Sequence, residues 1–535
     1  MRILIADKLA SEGASYLEGQ PDTEVTIRTG LAGDDLAEAL REYDGVVVRS
    51  AVQVTGPVLE RCAGTLRAIA RAGVGVDNID VETATRLGIA VMNAASASTI
   101  TTAEHTFALM IALARNLPWA HAAMAGSGWD RGKFVGSQLH GKTLGIVGLG
   151  RIGLTLAQRA FGFGMKVCAY DPFINADSML DGTIPMLGSM DELMARSDFV
   201  SLHVPKTDAT TGMVNEAAFN AGRPGIRIIN ASRGGIIDED ALLAALDDGR
   251  CAGAALDVYD PEPPPPDCPL RNHPKILTTP HLGASTTEAQ EAVAVDACRA
   301  LVTYLRGEGI IGAVNAAGIS LDLSDRQRTF VDLAHRMIAL LHAAGVPQKL
   351  TRVRFTVRGE GLAGGADTVA RYALVELLRG LLDEPVSVIN AGLIAEHRRI
   401  ETETVIAADH GEDRLVIEID SGGEPRRVEG AIYADNLPRI TSLDAYAMDM
   451  VAAGHMVLLT NTDEPGRIGL VGRMFGDAGV NIAEMVIGRK TNPSAGDTVA
   501  MMIIKLDGAP NPQLLDALAK APGILSVAGV ELRRA

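Results

Sequence analysis

The stretch Gly148-Leu149-Gly150-Arg151-Ile152-Gly153 directly follows the apolar run 144–147. Glycine at the first position permits a tight turn, the second glycine lets the backbone approach a pyrophosphate, and the third lets a helix pack on the strand. The phosphates would lie at the N-terminus of that helix, which we expect over 154–164. The spacing therefore predicts a dinucleotide-binding turn between a strand and a helix.

An acidic residue, Asp171, ends the next apolar run, 167–170. At this distance from the glycines, a carboxylate accepts hydrogen bonds from the ribose hydroxyls of a dinucleotide. It would also repel a 2′-phosphate, so the pattern favours NAD over NADP as the cofactor. An ordinary turn with incidental glycines is the alternative that the motif leaves open.

The composition limits the classes of protein to consider. A chain of 535 residues is too long for one core and predicts three or four domains. Its net charge of −17 argues against nonspecific binding to nucleic acid or to an anionic membrane. The five cysteines lack the paired spacing of a zinc site or a disulfide framework, so no metal is expected. An apolar run begins at residue 3, and none approaches the roughly 18 residues of a membrane span, so we expect a cytoplasmic protein.

The pattern of apolar runs divides the chain into four parts. Residues 1–98 alternate short apolar runs with helical stretches, which is typical of a parallel α/β unit. Residues 99–282 begin with a packing helix predicted over 101–114 and contain the glycine motif. A helix predicted over 286–306 would return the chain to the first unit, whose second piece would be 283–318. We therefore expect the second domain to be inserted in the first, with a cleft between them.

The remaining residues predict two further domains. Residues 319–452 mix strand-like and helical runs, which indicates an α+β domain, and contain no chemical motif that we recognise. Residues 453–535 follow the order strand, helix, strand, strand, helix, strand. That order is typical of a small ferredoxin-like domain.

Three polar residues, Arg233, Glu262 and His281, each follow a predicted strand of the second part. Open parallel sheets bind ligands at the carboxyl ends of their strands, so we expect the three side chains to converge. The Arg233 guanidinium would hold a carboxylate and polarise a neighbouring oxygen. His281 would move a hydroxyl proton, and Glu262 would stabilise the resulting imidazolium. Taken singly, each residue could equally be an ordinary surface or capping residue.

Four segments resemble the signatures of the D-isomer-specific 2-hydroxyacid dehydrogenases: 148–153, 230–238, 257–263 and 280–285. The resemblance implies hydride transfer to NAD with Arg233, Glu262 and His281 as the catalytic residues. Together with the glycine motif, it assigns to the cofactor site Val74, Gly148, Gly150, Arg151, Ile152, Gly153, Asp171, Val204, Ala231, Ser232, Arg233, Asp257, His281, Gly283 and Ala284.

Along its whole length the chain resembles the long members of this family, which oxidise 3-phospho-D-glycerate to 3-phosphooxypyruvate in the phosphorylated pathway of L-serine biosynthesis. The resemblance implies an α/β fold class with two doubly wound parallel-sheet domains. A Rossmann-like NAD domain would be inserted in a flavodoxin-like substrate domain. An α+β intervening domain and a ferredoxin-like ACT domain would follow.

The resemblance implies substrate contacts from Arg49, Ser50, Arg71, Gly75 and Asn93. A phosphorylated hydroxyacid carries about three negative charges near neutrality, so several cations should face the cleft. Arg49 ends a predicted strand, and Arg71 precedes a glycine-rich loop whose bare amides would suit a carboxylate. A solvated surface cation is the alternative for each arginine.

The ACT-like part implies an effector. ACT domains of the resembling enzymes pair side by side and bind serine at the interface. Here Asn461 and Asp463 lie in the first loop and Asn481 starts the second strand. Asp463 would bind the ammonium group, and Asn481 the carboxylate or hydroxyl. Serine feedback and a purely oligomer-building role both stay open, and we expect a homo-oligomer, either a dimer or a tetramer.

Two other functions also stay open. The same fold could act on an unphosphorylated D-2-hydroxyacid, such as a partner of glyoxylate or 2-hydroxyglutarate metabolism. Alternatively, the chain could be a binding protein that senses NAD. The joint presence of Arg233, Glu262 and His281 argues against the second alternative.

Overall fold

The computed structural model describes residues 1–174, 183–316, 319, 323–347, 349–382, 385–407, 412–423, 425–490 and 498–532. The described residues form four β-sheets. Two sheets are wholly parallel and carry the residues predicted to perform chemistry. The other two belong to the C-terminal part of the chain.

The first sheet is a parallel sheet near the N-terminus. Its strands are β1 (Arg2–Ile5), β2 (Glu24–Ile27), β3 (Gly45–Val48), β4 (Ala68–Arg71) and β5 (Ala90–Asn93), and its first helices are α1 (Ser11–Glu18), α2 (Gly33–Leu40), α3 (Gly56–Arg61) and α4 (Val81–Arg86). The strand order is β2-β1-β3-β4-β5, which is the flavodoxin-like order. Sequence analysis missed β2 because it is a half-exposed edge strand without a continuous apolar run.

The second sheet contains the dinucleotide motif. Two helices precede this sheet: α5 (Thr99–Ala114) and α6 (Leu117–Ala125). Its strands are β6 (Thr143–Val147), β7 (Lys166–Tyr170), β8 (Phe199–Leu202), β9 (Ile226–Asn230), β10 (Cys251–Leu256) and β11 (Ile276–Thr278). The helices that connect them are α7 (Arg151–Gly162), α8 (Met190–Arg196), α9 (Glu216–Ala221), α10 (Glu239–Asp247) and α11 (Pro269–Asn272). The parallel order is β11-β10-β9-β8-β6-β7. A bridge between Ala169 and Met186 extends the edge beyond β7. If β6 and β7 are numbered 1 and 2, the bridge 3, and β8, β9 and β10 are numbered 4, 5 and 6, the order from this edge is 3-2-1-4-5-6. This is the order of Rossmann-like sheets.

A long helix, α12 (Thr287–Arg306), returns the chain to the first sheet. It packs against α1 and against β3, β4 and β5. A Cβ atom on Gly45 of β3 would lie only 2.9 Å from Leu301 of this helix, so helix and strand are in close contact. Loops that follow strands of both parallel sheets line one cavity, so the carboxyl ends of the two sheets face the same cleft.

The third sheet is mixed. Its elements are α13 (Asp325–Ala343), β12 (Arg352–Arg358), α14 (Glu360–Ala363), α15 (Ala366–Arg379), α16 (Ala391–His397), β13 (Glu401–Ala407), β14 (Arg414–Asp420), β15 (Arg426–Ile432), β16 (Pro438–Leu443) and β17 (Tyr446–Val451). The order is β13-β12-β14-β15-β16-β17, and only the pair of β12 and β13 is parallel.

The fourth sheet is antiparallel. Its elements are β18 (Gly454–Thr462), α17 (Arg467–Asp477), β19 (Ile482–Arg489), β20 (Val499–Leu506), α18 (Pro512–Ala519) and β21 (Ile524–Leu532). The order β19-β20-β18-β21 is that of a ferredoxin-like domain. The predicted fold class is therefore confirmed, while the domain bounds at residues 98, 282, 318 and 452 stay predictions.

The apolar cores follow a different division from the sheets. One continuous core joins a face of the first sheet and α12 to the third sheet and to a face of the fourth. The second sheet has separate cores on its two faces. Polar contacts also link the first and third sheets, since Ser387 Oγ donates to the carbonyl of Gly88 at 2.9 Å. Among the described residues, no helix has the length and apolarity to cross a membrane.

Candidate active site

The glycine turn after β6 has the geometry that a pyrophosphate needs. Gly148 has a φ of 88°, and a Cβ atom there would lie 2.7 Å from the carbonyl oxygen of His203. A Cβ atom on Gly153 would lie 2.4 Å from the carbonyl oxygen of Gly148. A Cβ atom on Gly150, by contrast, would meet nothing within 4 Å. Protein packing thus explains the first and third glycines, and the open side of the second leaves room for a dinucleotide.

Asp171 lies beside this turn at the end of β7. Its Oδ2 accepts a hydrogen bond from the Leu149 amide at 3.0 Å, and its Oδ1 accepts one from the Phe173 amide at 3.0 Å. The carboxylate is therefore held next to the site where the ribose of a bound NAD would lie. The Val204 side chain also approaches Gly148, within 2.9 Å of a Cβ atom built there. These residues fit the cofactor predicted from the sequence.

Replacing Asp171 with alanine is expected to relax the choice of cofactor. The change removes both the acceptor for ribose hydroxyls and the charge that repels a 2′-phosphate, so the ratio of kcat/KM for NAD to that for NADP should fall about 10-fold or more. Steady-state assays with both cofactors measure this ratio.

The matched variant for this test is Asp171→Asn, which keeps an acceptor for the Leu149 amide and loses only the charge. It should also accept NADP better than the wild-type enzyme. An unchanged preference for NAD in both variants would contradict the role of Asp171 as the ribose partner.

The structure brings His281 and Glu262 together. His281 Nδ1 donates to Glu262 Oε2 at 2.7 Å, and Glu262 Oε1 accepts from the Tyr259 amide at 2.9 Å. Burial alone would raise the pKa of Glu262, but hydrogen bonds from His281 and Tyr259 and the charge of Arg233 hold that pKa below its ordinary value. Glu262 is thus ionised at neutral pH. It orients the half-exposed imidazole and leaves Nε2 for a substrate hydroxyl.

Arg233 reaches from the second sheet to the first. Its Nε donates to Asp77 Oδ2 at 3.1 Å, and its Nη1 donates to the carbonyl of Ser232 at 2.7 Å. A Cβ atom on Gly75 would lie 1.9 Å from Nη2, so only glycine lets the guanidinium cross this loop. Arg233 therefore lies between the two halves of the cleft.

Two further arginines concentrate positive charge beside Arg233. Burial, together with the nearby charges of Arg233 and Arg49, lowers the pKa of Arg71 to about 10, although Asp77 and Asp7 act in the opposite direction. A depressed pKa means that the charged form of Arg71 lacks full compensation from the protein. An anion bound in the cleft would supply that compensation.

A cavity of about 720 Å³ contains two of the predicted catalytic residues and several predicted substrate residues. Its lining includes Arg49, Ser50, Arg71, Glu262, His281 and Ala284. Arg233 and Gly75 are not among the described residues that line it, but Asp77, the partner of Arg233, is. Asn93 instead lines a neighbouring cavity of about 470 Å³ together with Arg151. Asn93 Nδ2 donates to the carbonyl of Val74 at 2.5 Å, so Asn93 fixes the backbone of the loop that contains Gly73 and Gly75.

The remaining predicted cofactor residues lie around the same cleft. Ile152 is in the first turn of α7. The turn that contains Ala231 and Ser232 is fixed by Asn230, whose Oδ1 accepts from the Ser232 amide at 3.0 Å. Asp257 is fully buried, and its carboxylate accepts from the amides of Leu282 and Gly283, each at 2.8 Å. Its contacts therefore hold the loop after β11.

Sequence reasoning missed two residues of the site. Asp77 lies in a predicted substrate loop, yet nothing in its spacing indicated that it pairs with Arg233. His105 lies on α5, which we interpreted only as a packing helix. Its Nε2 is 3.2 Å from Asp257 Oδ1. A lone histidine on the predicted packing helix, between Glu104 and Thr106, was the only signal of this contact.

A single chain does not bring the predicted effector residues together. Asp463 is paired with Arg489 at 2.7 Å, and Asn481 donates to Asp507 at 2.6 Å. Both β18 and β19 run antiparallel to β20, and the register places Asp463 beside Thr498 and Asn481 beside Asp507. The two residues therefore lie at opposite ends of the sheet, about 30 Å apart at ~3.3 Å per residue. Asn461 is buried, and no donor among the described residues reaches its Oδ1.

Comparisons with known proteins identify the family of the chain. A family model described as "D-isomer specific 2-hydroxyacid dehydrogenase, NAD binding domain" matches residues 107–283, and a model of the ACT domain matches residues 455–523. The D-3-phosphoglycerate dehydrogenase of Archaeoglobus fulgidus is 36% identical over 536 residues, which cover 99% of this chain and 100% of that protein. The corresponding enzyme of Methanocaldococcus jannaschii is 37% identical over 533 residues, with coverage of 99% and 100%.

A solved structure supports the cofactor. The D-lactate dehydrogenase of Aquifex aeolicus, complexed with NAD and lactic acid, is 27% identical and covers 57% of this chain and 96% of its own, with a TM-score of 0.51. The predictions of an NAD-dependent oxidoreductase and of its family are confirmed. The chain belongs to the D-3-phosphoglycerate dehydrogenases, which are D-isomer-specific 2-hydroxyacid dehydrogenases.

Proposed function

We propose that the protein oxidises 3-phospho-D-glycerate to 3-phosphooxypyruvate with NAD, as the first step of the phosphorylated pathway of L-serine biosynthesis. One observation carries the proposal: Arg49 and Arg71 line the same cavity as the pair of His281 and Glu262. With Arg233 beside them, three guanidinium groups match the roughly three negative charges of a phosphorylated hydroxyacid.

The side chains have distinct roles in this reaction. Arg233 holds the substrate carboxylate and polarises the oxygen on the neighbouring carbon. His281 takes the hydroxyl proton on Nε2, and Glu262 stabilises the imidazolium that results. The nicotinamide of bound NAD supplies the hydride acceptor. In the reverse direction, His281 returns the proton to the ketone oxygen.

Replacing Arg49 with alanine tests the phosphorylated substrate. Arg49 donates to the carbonyl of Lys8 at 3.2 Å and lines the same cavity as His281. A lost charge-assisted contact to phosphate should lower kcat/KM for 3-phosphoglycerate by about 10- to 100-fold. An unphosphorylated D-2-hydroxyacid should lose little. The rate of NADH formation reports both.

The control is Arg61→Ala, because Arg61 is an exposed arginine of the same unit that pairs with Asp34 outside the cavity. It should behave as the wild type. If Arg49→Ala affects both classes of substrate equally, or if the wild type prefers the unphosphorylated acid, the assigned substrate is wrong.

The same proposal includes a homo-oligomer, either a dimer or a tetramer, with serine as an effector. None of the residues of α6 is buried, and Leu117 and Met124 on it are more than half exposed, as are Trp129 and Val135 nearby. Such an exposed apolar surface favours association.

The separation of Asp463 from Asn481 likewise calls for a second copy of the chain to complete an effector site. L-serine added to the NADH assay should inhibit, and a cytoplasmic location stays a prediction.

A further inference from the structure

The loop that contains His281 is anchored on one carboxylate. Asp257 accepts hydrogen bonds from Thr279 Oγ1 at 2.6 Å and from the amides of Leu282 and Gly283, both at 2.8 Å. Its main-chain carbonyl also accepts from the His281 amide at 2.9 Å. Asp257 thus fixes three consecutive amides of the loop.

This loop needs such an anchor because of the backbone at His281. Its φ is +53°, a left-handed conformation that residues other than glycine adopt rarely. Residues persist in that region when the surrounding structure over-determines them. The hydrogen bonds to Asp257 hold the backbone of His281 in this conformation, and the orientation of the His281 ring depends on them.

The anchor itself needs a partner, because Asp257 is fully buried. A buried carboxylate is costly unless it is paired and hydrogen-bonded. His105 Nε2 lies 3.2 Å from Asp257 Oδ1 and 3.4 Å from Thr279 Oγ1. Within the described ranges, His105 is the only basic side chain within ion-pair distance of Asp257.

The ionisation of Asp257 agrees with this contact. Burial would raise the pKa of Asp257, but hydrogen bonds from His105, Thr279 and the Leu282 amide outweigh burial and hold the pKa below its ordinary value. The carboxylate therefore remains an acceptor for the loop amides at neutral pH.

We propose that His105 is a positioning residue for the dehydrogenase reaction: by donating to Asp257, it keeps the loop 279–283 in the conformation that presents His281 to the substrate. His105 acts through Asp257 and does not itself contact the reacting atoms. The inference rests on the proposed role of His281 as the base. The inference gives His105, a residue of α5, an indirect part in catalysis, although α5 otherwise only packs against the second sheet.

Two substitutions at position 105 separate the donor from the bulk of the side chain. His105→Leu removes the donor at similar size, and His105→Gln places an amide nitrogen where it can reach Asp257. We expect His105→Leu to lower kcat about 10- to 100-fold, since a displaced catalytic group costs about that much. The KM for 3-phosphoglycerate should change less than about 3-fold because the arginines are untouched. His105→Gln should recover most of kcat.

The control on the same helix is Glu104→Gln. Glu104 is exposed and pairs with Arg159 on α7, so its loss should leave kcat unchanged. Thermal unfolding and the stoichiometry of NADH binding show whether each variant is folded. If His105→Leu does not fold, Thr279→Val takes its place, because it removes the other side-chain donor to Asp257 and should lower kcat in the same manner.

Retention of wild-type kcat by the folded Leu variant, or by the Val variant in its place, would overturn the inference. Equal losses in the Leu and Gln variants would overturn it too, because donation to Asp257 would then not be the property that matters. These outcomes differ from failure of the proposed function. Full activity of a His281→Ala enzyme would refute the base itself, whereas an inactive His281→Ala beside an active His105→Leu refutes only the positioning role.

Discussion

His281→Ala is expected to lower kcat about 1,000-fold while the Kd for NAD stays within about 2-fold of the wild-type value. The imidazole moves the hydroxyl proton, and its contact with Glu262 orients it for that task. It supplies little of the binding surface for a dinucleotide, which lies mainly on the glycine turn. Stopped-flow turnover and NADH fluorescence titration measure the two quantities separately.

The comparison variant is His397→Ala, which changes an exposed histidine at the end of α16 in the third sheet's unit. It should match the wild type in both measurements. Equal losses of kcat and of NAD affinity in His281→Ala would contradict the role of His281 as a proton carrier. Such a result would indicate instead that the substitution disturbs the cofactor site.

Arg233→Lys is expected to lower kcat/KM for 3-phosphoglycerate about 100- to 1,000-fold, with a fall in kcat as well as a rise in KM. The guanidinium contacts Asp77 and the carbonyl of Ser232 through two different nitrogens and still presents Nη2 over Gly75. A lysine ammonium is a single point and cannot satisfy these contacts and a substrate carboxylate together. Steady-state kinetics over a range of substrate concentrations give both parameters.

Arg250→Lys is the matched control for the loss of a guanidinium. Arg250 lies on the same unit and pairs with Asp248 at 2.7 Å. Its kinetics should equal those of the wild type. If the Arg233→Lys enzyme has a higher KM for 3-phosphoglycerate but keeps its full kcat, Arg233 does not polarise the substrate oxygen and only binds the carboxylate.

The parts of the site that depend on local spacing were predictable from the sequence. The spacing of the motif predicted Gly148, Gly150 and Gly153. Of the three, only Gly153 is explained by a contact within the motif, with the carbonyl of Gly148, whereas Gly148 approaches His203 and Gly150 faces open space. His281 and Glu262 were predicted because both follow strands of one parallel sheet, whose carboxyl ends necessarily share an edge.

The contacts between distant segments were not predictable. Asp77 and Arg233 are 156 positions apart, and their pairing depends on how the two sheets face each other. The contact of His105 with Thr279 spans 174 positions and joins a helix to the loop that follows β11. Hydrophobic periodicity reports which face of an element is buried, and it contains no information about which polar group meets another across a cleft.

The continuity of the apolar core has a mechanical consequence. Because α12, the third sheet and one face of the fourth share buried side chains with the first sheet, sliding any of them past another would expose apolar surface to water. The dinucleotide unit alone keeps its packing self-contained. Any hinge bending around the substrate is therefore a swing of that unit against one large, rigid counterpart. The cost of that swing lies in the polar contacts across the crevice, of which the pair of Arg233 and Asp77 is one.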